Sequence, residues 1–341
     1  MTTAQTGRAA PPGAPAGGGT AARLLAGRAH QLNEIGLLAA IIVLYLALGS
    51  SAEGFLSVHN QLGMLRDAAT IGIAAWGVTL VIIAGEIDIS IGPAVAFSSV
   101  LVAKGSAEWG LGVAGAIALT LVLGLAWGAV AGWLRAVFDV PSFITTLGVW
   151  SILGGLGLYL TDALPVTLPE SGVFELLGGD LLGVPTAAVI MLVLFGVFAY
   201  VARYTPYGRS VYAIGGNAGA ARLSGIDLTR VRVALFATTG LLSAITGVLL
   251  AARLGSGSGG AAAGLEFDVI AAVVIGGTAL AGGRGGMLGT LLGVVFITVI
   301  GNGLVLLGVD SFLQNVVRGV IIVAAVLINV IVARRGRATT S

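Results

Sequence analysis

The chain has no cysteine, one lysine and two histidines, and only 9% of its 341 residues are charged. The absence of cysteine excludes disulfides, iron–sulfur clusters and cysteine-based zinc sites. Lys104 does not stand in the G-x-x-x-x-G-K-[ST] pattern of a nucleotide-binding P-loop. His30 and His59 lie near the two ends of the first apolar run and cannot form a metal or catalytic cluster with each other. We therefore expect no catalytic residues, no metal site and no cofactor.

Hydrophobic residues make up 57% of the chain. Soluble domains keep about a quarter of their residues charged, so this chain cannot cover itself with a polar surface. The bilayer is the solvent that suits such a composition. The 55 glycines follow no Gly-X-Y period, which excludes collagen, and they suit helices packed closely inside a membrane. The predicted fold class is all-α, a polytopic transmembrane helical bundle.

Ten apolar runs follow one another along the chain, and most reach the roughly 20 residues that a spanning helix needs. They predict about ten spans. Two of them, 91–105 and 268–283, are short and contain glycine, so we expect broken or re-entrant segments there. The runs are 35–50, 67–84, 91–105, 110–134, 142–161, 186–203, 231–253, 268–283, 287–308 and 312–333.

The placement of basic residues predicts the orientation. With the N-terminus in the cytoplasm, 13 of the 17 basic residues fall in cytoplasmic segments, as the positive-inside rule requires. The loop 162–184 contains acidic residues and no lysine or arginine, which fits the outer side. The 13 cytoplasmic residues are Arg8, Arg23, Arg28, Arg135, Arg203, Arg209, Arg222, Arg230, Arg232, Arg284, Arg334, Arg335 and Arg337. Both termini are therefore expected in the cytoplasm of a multi-pass inner-membrane protein.

These patterns divide the chain into three parts. Residues 1–30 are rich in Ala, Gly and Pro, and we interpret them as a disordered cytoplasmic tail. A signal peptide is the alternative, because a basic region precedes the run 35–48. Residues 31–333 form the transmembrane domain, with a long inside loop at 203–232, and residues 334–341 form a second cytoplasmic tail.

An internal echo suggests an inverted repeat. The segment 86–89 reads EIDI and the segment 266–269 reads EFDV, and three apolar runs follow each. In the predicted topology the first copy starts inside and the second outside, as in the inverted repeats of many transporters. The third run starts 56 residues after the first motif and 45 after the second, so coincidence is the alternative.

The first motif, GEIDISIGP at 85–93, places two carboxylates between apolar runs. A carboxylate at the bilayer centre costs about 2.5–3.5 kcal/mol on insertion scales, so such groups line a cavity, pair with a base or accept backbone N–H bonds. Asp88 or Ser90 is also suited to cap the helix that begins near Ile91. Capping and a role in a translocation pathway are both open. The pathway candidates are Glu86, Asp88, Ser90, Ser142, Thr145 and Asn302.

The second motif lies in the inside loop 203–232. Asn217 is suited to begin a short helix and Gly225 to end it. A basic loop that merely fixes topology needs no ordered helix, so we favour a docking element. Its residues are Gly215, Gly216, Asn217, Ala220, Ala221, Arg222, Leu223, Ser224 and Gly225.

The third motif joins GGT at 276–278 to GGRGG at 282–286. Gly285, Gly289 and Gly293 continue at a spacing of four, which is a small-xxx-small face suited to close helix contact. Packing inside the chain is the favoured interpretation, and a contact between subunits is the alternative.

Together these motifs resemble the permeases of ABC importers for ribose, xylose, arabinose and galactose. The residues that carry the resemblance are GEIDIS at 85–90, PSFITTLG at 141–148, YGR at 207–209 with the loop to Arg222, and AAVVIGGT at 271–278 with GGRG at 282–285. The resemblance covers about residues 35–333. Glu86 stands where the family usually has glycine, and Gly219 stands where other permeases carry glutamate.

Membership of that family implies a membrane-spanning transport subunit, not an enzyme. Two permease subunits, expected as a homodimer, would assemble with two ATPase subunits and an external sugar-binding protein. The assembly would contact membrane lipid and would bind no nucleic acid. The helix at 217–225 would be the coupling helix that enters a cleft of the ATPase, and ATP hydrolysis would lie on that partner chain.

Other classes remain open at this stage. A permease for nucleosides or branched-chain amino acids would share this fold. An ion-coupled secondary transporter would work without an ATPase, and a structural or signalling membrane protein would move no solute.

Overall fold

The computed structural model describes residues 19–338, and nearly all of that range is helical. The helices are α1 (Gly19–Ser51), α2 (Val58–Ile83), α3 (Ile91–Ala107), α4 (Gly112–Val137), α5 (Ser142–Leu160), α6 (Gly172–Gly178), α7 (Thr186–Tyr204), α8 (Pro206–Leu223), α9 (Leu228–Leu254), α10 (Leu265–Ile275), α11 (Met287–Leu306) and α12 (Ser311–Ala338). Four two-residue strands are β1 (Val166–Thr167), β2 (Asp180–Leu181), β3 (Val184–Pro185) and β4 (Ser256–Gly257). The all-α prediction is confirmed.

Each predicted apolar run falls mostly in one helix, except that the second half of the run 268–283 is a loop, and the helices differ in length. Within the described residues, seven helices are long and apolar enough to cross a membrane: α1 from Asn33, α2, α4, α5, α7, α9 and α11. Helix α3 and the apolar part of α12, Ser311–Ala324, are shorter, and α10 has 11 residues. The run 91–105, expected to be broken or re-entrant, forms the unbroken 17-residue helix α3, which an extended segment precedes. The run 268–283 is interrupted, because its helix α10 ends at Ile275 and a loop follows. These are the two shortest of the ten helices that hold the predicted runs.

Helix ends differ from the run limits where polar residues continue a helix. Helix α2 starts at Val58, nine residues before its apolar run, and Ser57 caps it by accepting a hydrogen bond from the N–H of Asn60. Helix α1 includes residues 19–30 of the predicted N-terminal tail, and residues 1–18 lie outside the described residues. Helix α12 continues through residues 334–338 of the second predicted tail.

The loops lie on two opposite faces. On one face, called the α8 face here, the carbonyl of Ile83 at the end of α2 accepts a hydrogen bond from Gly283 N–H, and α8 lies beside both. On the other, the α6 face, β1 pairs antiparallel with β4, and Leu168 N–H donates to the carbonyl of Gly255 at the end of α9. The short β2–β3 hairpin lies between α6 and α7. These two faces are the loop layers of a membrane bundle.

Glycine sets how closely the central helices approach. A Cβ at Gly124, Gly128 or Gly132 of α4 would collide with α9, chiefly with its backbone at Gly240, Phe236 and Val233. Helices α2 and α9 are the most buried of the long helices. Their contact with α4 and α3 forms the main core, which contains Trp76, Phe236 and Leu242. In a membrane the hydrophobic effect does not drive helices together, because lipid is as apolar as the side chains. Small residues let the backbones approach closely enough to pack.

Helices α3 and α10 begin next to each other and run in opposite directions. The space beside Gly92, in the first turn of α3, is filled by the carboxylate of Glu266, in the first turn of α10. Helix α3 then runs towards the α6 face, where Ser99 contacts Ser258. Helix α10 ends at Ile275, and the loop that follows reaches the α8 face at Gly283. The opposed directions of α3 and α10 agree with an inverted repeat, which stays a prediction.

Candidate functional site

The inside-loop motif forms a helix that is bent at Asn217. Thr205 caps the start of α8 and Pro206 takes its first position. Asn217 has a non-helical backbone (φ −163°, ψ 103°), and its side-chain oxygen accepts a 3.0 Å hydrogen bond from Ala220 N–H. Asn217 therefore ends the first part of α8 and caps a second, short helix.

Gly225 closes that short helix. Its φ of +84° is in the left-handed region, where a side chain is strained. Ile226 N–H donates to the carbonyl of Ala221 and Gly225 N–H to that of Arg222, which together make a Schellman motif. The short helix is thus held at both ends by residues of the loop itself.

The first part of α8 is docked on backbone atoms of two other segments. A Cβ at Gly215 would overlap the carbonyl oxygen of Ile83 and would lie 2.6 Å from the nitrogen of Gly283. A Cβ at Gly282 would lie 3.0 Å from Gly85. We call this meeting of Gly85, Gly215, Gly282 and Gly283 the glycine junction. It joins the loop motif to the segment before α3 and to the segment after α10.

Tyr212 adds a polar tie to the junction. Its hydroxyl donates a 2.8 Å hydrogen bond to the carbonyl of Gly285. Burial raises the pKa of the Tyr212 phenol, so the hydroxyl keeps the proton that it donates. A displacement of α8 must therefore move the 276–286 segment with it.

The short helix presents an exposed surface. Leu223 is 92% exposed, although it is a large aliphatic residue, and Arg222 beside it is also exposed. On its buried side, Ala221 packs with Ile214 of the first part of α8 and with Leu228 at the start of α9. The exposed side of the short helix thus includes Arg222 and Leu223, and its docking role stays a prediction.

The acidic motif is an extended segment inside the bundle, where its backbone needs partners. Ile87 N–H donates to Ser142 Oγ at 3.0 Å, and Ile89 N–H donates to Thr146 Oγ1 at 3.3 Å. Glu86 N–H donates to the carbonyl of Val81. Helix α5 therefore holds this segment through hydroxyl groups one turn apart.

Asp88 supports the start of α3. Its Oδ1 accepts from Ser90 N–H at 2.9 Å and from Ser90 Oγ at 2.6 Å, and its Oδ2 accepts from Thr239 Oγ1 at 2.7 Å. The carboxylate therefore lies at the N-terminus of α3 and links it to α9 by hydrogen bonds. Neither Ser90 nor Asp88 makes a side-chain capping bond to the first N–H groups of α3, because Asp88 accepts from Ser90, the residue just before the helix.

Glu86 is held between two arginines. Its Oε2 lies 2.8 Å from Arg135 Nε and its Oε1 lies 2.9 Å from Arg232 Nε, and its side chain is 4% exposed. Arg135 also pairs with the exposed Asp139, whose pKa this arginine lowers. Both oxygens of Glu86 thus link α4 to α9, and neither faces an open passage in this conformation.

The remaining pathway candidates do not form one group. Thr145 Oγ1 donates to the carbonyl of Pro141 within its own helix. Asn302 exchanges two amide hydrogen bonds with Asn60, of 2.8 and 3.0 Å, which join α11 to α2. Asn302 also lines a cavity of about 410 Å³ towards the α6 face, with Asp67, Arg253 and Arg318. Three of the six candidates thus belong to the segment 86–90, and Ser142 and Thr145 lie at the start of α5. Asn302 lies apart from both.

The glycines of the third motif pack inside the chain. A Cβ at Gly289 would overlap the carbonyl of Gly276, and one at Gly293 would overlap that of Ala272. Both glycines therefore bring α11 against α10. Gly285 lies before α11 begins and takes a φ of +154° beside Thr278.

Sequence reasoning missed the partners that complete these groups: Arg135, Thr146, Arg232 and Thr239. Each is separated from its partner by at least 49 residues, as in the pair of Arg135 and Glu86. The sequence contains one signal for the arginine partners. An arginine at the end of an apolar run, on the same side of the membrane as an acidic loop, predicts an ion pair between the two. The hydroxyl partners carry no comparable signal, since threonine is frequent on membrane helices.

Comparison with known proteins identifies the family. Residues 60–326 match the family described as branched-chain amino acid transport system / permease component. The chain is 58% identical to the probable ABC transporter permease protein YphD of Escherichia coli K12, over 90% of this chain and 92% of that protein. It is 41% identical to the ribose import permease protein RbsC of Bacillus subtilis 168, over 87% and 93%. The chain belongs to this family of ABC transporter permeases.

Two further relatives belong to other sugar systems. The L-arabinose ABC transporter permease protein AraH of Azospirillum brasilense is 34% identical over 90% of both chains. The xylose transport system permease protein XylH of Haemophilus influenzae is 32% identical, over 86% of this chain and 95% of that protein. No solved structure matches the chain. The predicted resemblance to sugar-importer permeases is confirmed, and the chain is a multi-pass membrane transport subunit.

Proposed function

We propose that the chain is the permease subunit of a binding-protein-dependent ABC importer for a monosaccharide of the ribose or xylose type. The observation that carries this proposal is the 41% identity to a ribose import permease across nearly the whole of both chains. The absence of a P-loop in the sequence means that separate ATPase subunits would supply the energy.

The short helix from Asn217 to Gly225 would be the element that docks in a cleft of the ATPase. It is capped at both ends and exposes Leu223 and Arg222. Through the glycine junction, a movement of α8 would pass to the segments that precede α3 and follow α10. Because both helices begin inside the bundle, a rigid-body tilt there would open one side and close the other.

Two copies of the chain, two ATPase subunits and an external sugar-binding protein would make the working assembly. Helices α5 and α12 expose rows of large apolar side chains, such as Ile152 and Phe312. Lipid or a second permease subunit would cover these faces. The α8 face would be cytoplasmic, together with both termini, because it contains most of the arginines.

The variant Arg222→Glu tests the coupling role. We expect sugar uptake per ATP hydrolysed to fall about 5- to 150-fold, the usual size of a coupling effect, because the charge facing the ATPase is reversed. The measurement is uptake and ATP hydrolysis together in proteoliposomes that contain the ATPase and the binding protein. Arg209→Glu, in the first part of α8, is the control. Normal uptake and coupling in Arg222→Glu would refute the docking role.

A permease for branched-chain amino acids is a second candidate, because the matching family is described by that substrate. The ligand of the binding protein that stimulates ATP hydrolysis decides between the two. Stimulation by a leucine-loaded binding protein and not by a sugar-loaded one would replace the monosaccharide in this proposal. Uptake driven by an ion gradient without ATP would exclude both.

A further inference from the structure

Glu266, in the first turn of α10, is a buried carboxylate with an unused oxygen. It is 3% exposed, and its Oε1 accepts a 2.9 Å hydrogen bond from the indole N–H of Trp150. Its Oε2 is buried, and no hydrogen-bond donor of the described residues reaches it. An ionisable group within a membrane bundle is strongly disfavoured unless it is paired, and its presence is itself a mark of function.

The other two buried carboxylates of the described chain are fully engaged. Glu86 has an arginine at each oxygen. Asp88 accepts three hydrogen bonds from Ser90 and Thr239. Glu266 has one neutral donor and no ion pair among the described residues. It is therefore the buried carboxylate with capacity to accept another hydrogen bond.

The position of Glu266 is central in the bundle. The carboxylate fills the space beside Gly92, so it lies where the first turns of α3 and α10 meet. Trp150 reaches it from near the middle of α5. Two helix N-termini at one point create a positive potential that favours an ionised carboxylate.

Trp150 connects this interior position to an open face. Its side chain donates to the buried Glu266, yet the residue is 40% exposed on the outer side of α5. Pro93 packs beside Gly154 one turn further along α5. The indole therefore lies between Oε1 of Glu266, which it binds, and the space beside α5, while Oε2 packs against Gly92.

We infer that Trp150 and Glu266 form a contact site for a neutral, polyhydroxylated solute as it passes along α5. The inference rests on the proposed function. The flat apolar face of the indole suits the C–H face of a sugar ring. Oε2 of Glu266, which packs against Gly92 in this conformation, accepts a hydrogen bond from one of the sugar hydroxyls once a movement of α3 against α10 uncovers it. A single charged acceptor with an aromatic surface orients the solute without holding it tightly, which passage requires.

The variant Glu266→Gln tests the carboxylate. It keeps the shape and an oxygen for the Trp150 N–H, and it replaces the accepting Oε2 by a donor. With radiolabelled D-ribose, D-xylose and L-arabinose in proteoliposomes, we expect sugar transported per ATP hydrolysed to fall about tenfold or more. ATP hydrolysis stimulated by the loaded binding protein is expected to persist, because the coupling surface lies elsewhere.

Two tryptophan variants test the aromatic surface. Trp150→Phe keeps a flat ring and loses the N–H, so we expect about a threefold fall in sugar per ATP, and Trp150→Ala should fall further. Trp109→Phe is the matched control, since Trp109 is 42% exposed at the end of α3 and has no contact with Glu266. Melting temperatures in detergent show whether each variant is folded.

The outcomes separate the possibilities. Unchanged sugar per ATP in folded Glu266→Gln and Trp150→Ala refutes the contact site while leaving the importer intact. A parallel loss of sugar uptake and of stimulated ATP hydrolysis, at unchanged stoichiometry, also refutes it, because it indicates a structural role. Absence of uptake of all three sugars by the wild-type chain contradicts the proposed function, and the contact site with it.

Discussion

The buried carboxylates Glu86, Asp88 and Glu266 differ in their ion-pair and hydrogen-bond partners, and these partners determine the role of each residue. Glu86 lies between Arg135 and Arg232, with both oxygens within 2.9 Å of a guanidinium nitrogen. A buried pair of this kind contributes little net stability as a whole, but removing one partner leaves charge uncompensated. Its position between α4 and α9 fixes the segment before α3.

We expect Glu86→Ala to lower the free energy of unfolding by about 3 kcal/mol, because it leaves the largely buried Arg232 without its carboxylate partner and leaves Arg135 only the exposed Asp139. The control is Glu108→Ala, which removes the exposed pair with Lys104 and should change stability by about 0–1 kcal/mol. Unfolding in detergent, titrated with denaturant, measures both. Equal losses in the two variants would contradict the clamp by two arginines.

For single residues, the sequence shows which positions are unusual, but it does not show which side chains they contact. An acidic residue between apolar runs is conspicuous, so Glu86 and Asp88 are recognisable as unusual positions. Their roles depend on Thr146, Arg232 and Thr239, which come from other helices and are fixed only by the packing of the whole bundle. The same applies to Glu266, whose partner Trp150 is 116 residues away.

The α8 element combines local and long-range causes. Its bend and its end follow from Asn217 and Gly225, whose capping preferences are local and therefore visible in the sequence. Its docking on Ile83 and Gly283 follows from the absence of a side chain at Gly215, which a sequence alone does not distinguish from the open position at Gly216. The pattern of apolar runs likewise predicts the helices, but not the meeting of α3 and α10.

The neighbouring glycines provide a matched test of the docking. Gly215→Ala places a methyl group against the carbonyl of Ile83, so we expect a loss of about 1–3 kcal/mol of stability and reduced coupled uptake. Gly216→Ala meets nothing within 4 Å and should change stability by less than about 0.5 kcal/mol. Thermal unfolding in detergent and proteoliposome uptake are the measurements. Equal behaviour of the two variants would rule out close packing at Gly215.

The whole molecule has two loop faces, and the absence of cysteine makes its orientation directly measurable. Leu223 on the α8 face is 92% exposed and Leu182 on the α6 face is 98% exposed. We expect a membrane-impermeant maleimide added to intact cells to label Leu182→Cys and not Leu223→Cys. In inside-out vesicles the pattern should reverse. Labelling of Leu223→Cys from outside would overturn the cytoplasmic placement of α8, and the cysteine-free parent gives the background.

The glycine junction has a consequence for how such a transporter can change its cargo. Its contacts are made by main-chain atoms, so no side chain at that place has to match another. Substitutions along α5 that change the transported solute therefore need no compensating substitution in the glycine junction. In the proposed assembly, this junction would pass the movement of the ATPase subunits to the bundle. On the proposed function, we expect α5 side chains grafted from a relative to change which solute is transported and to leave the coupling to ATP hydrolysis unchanged.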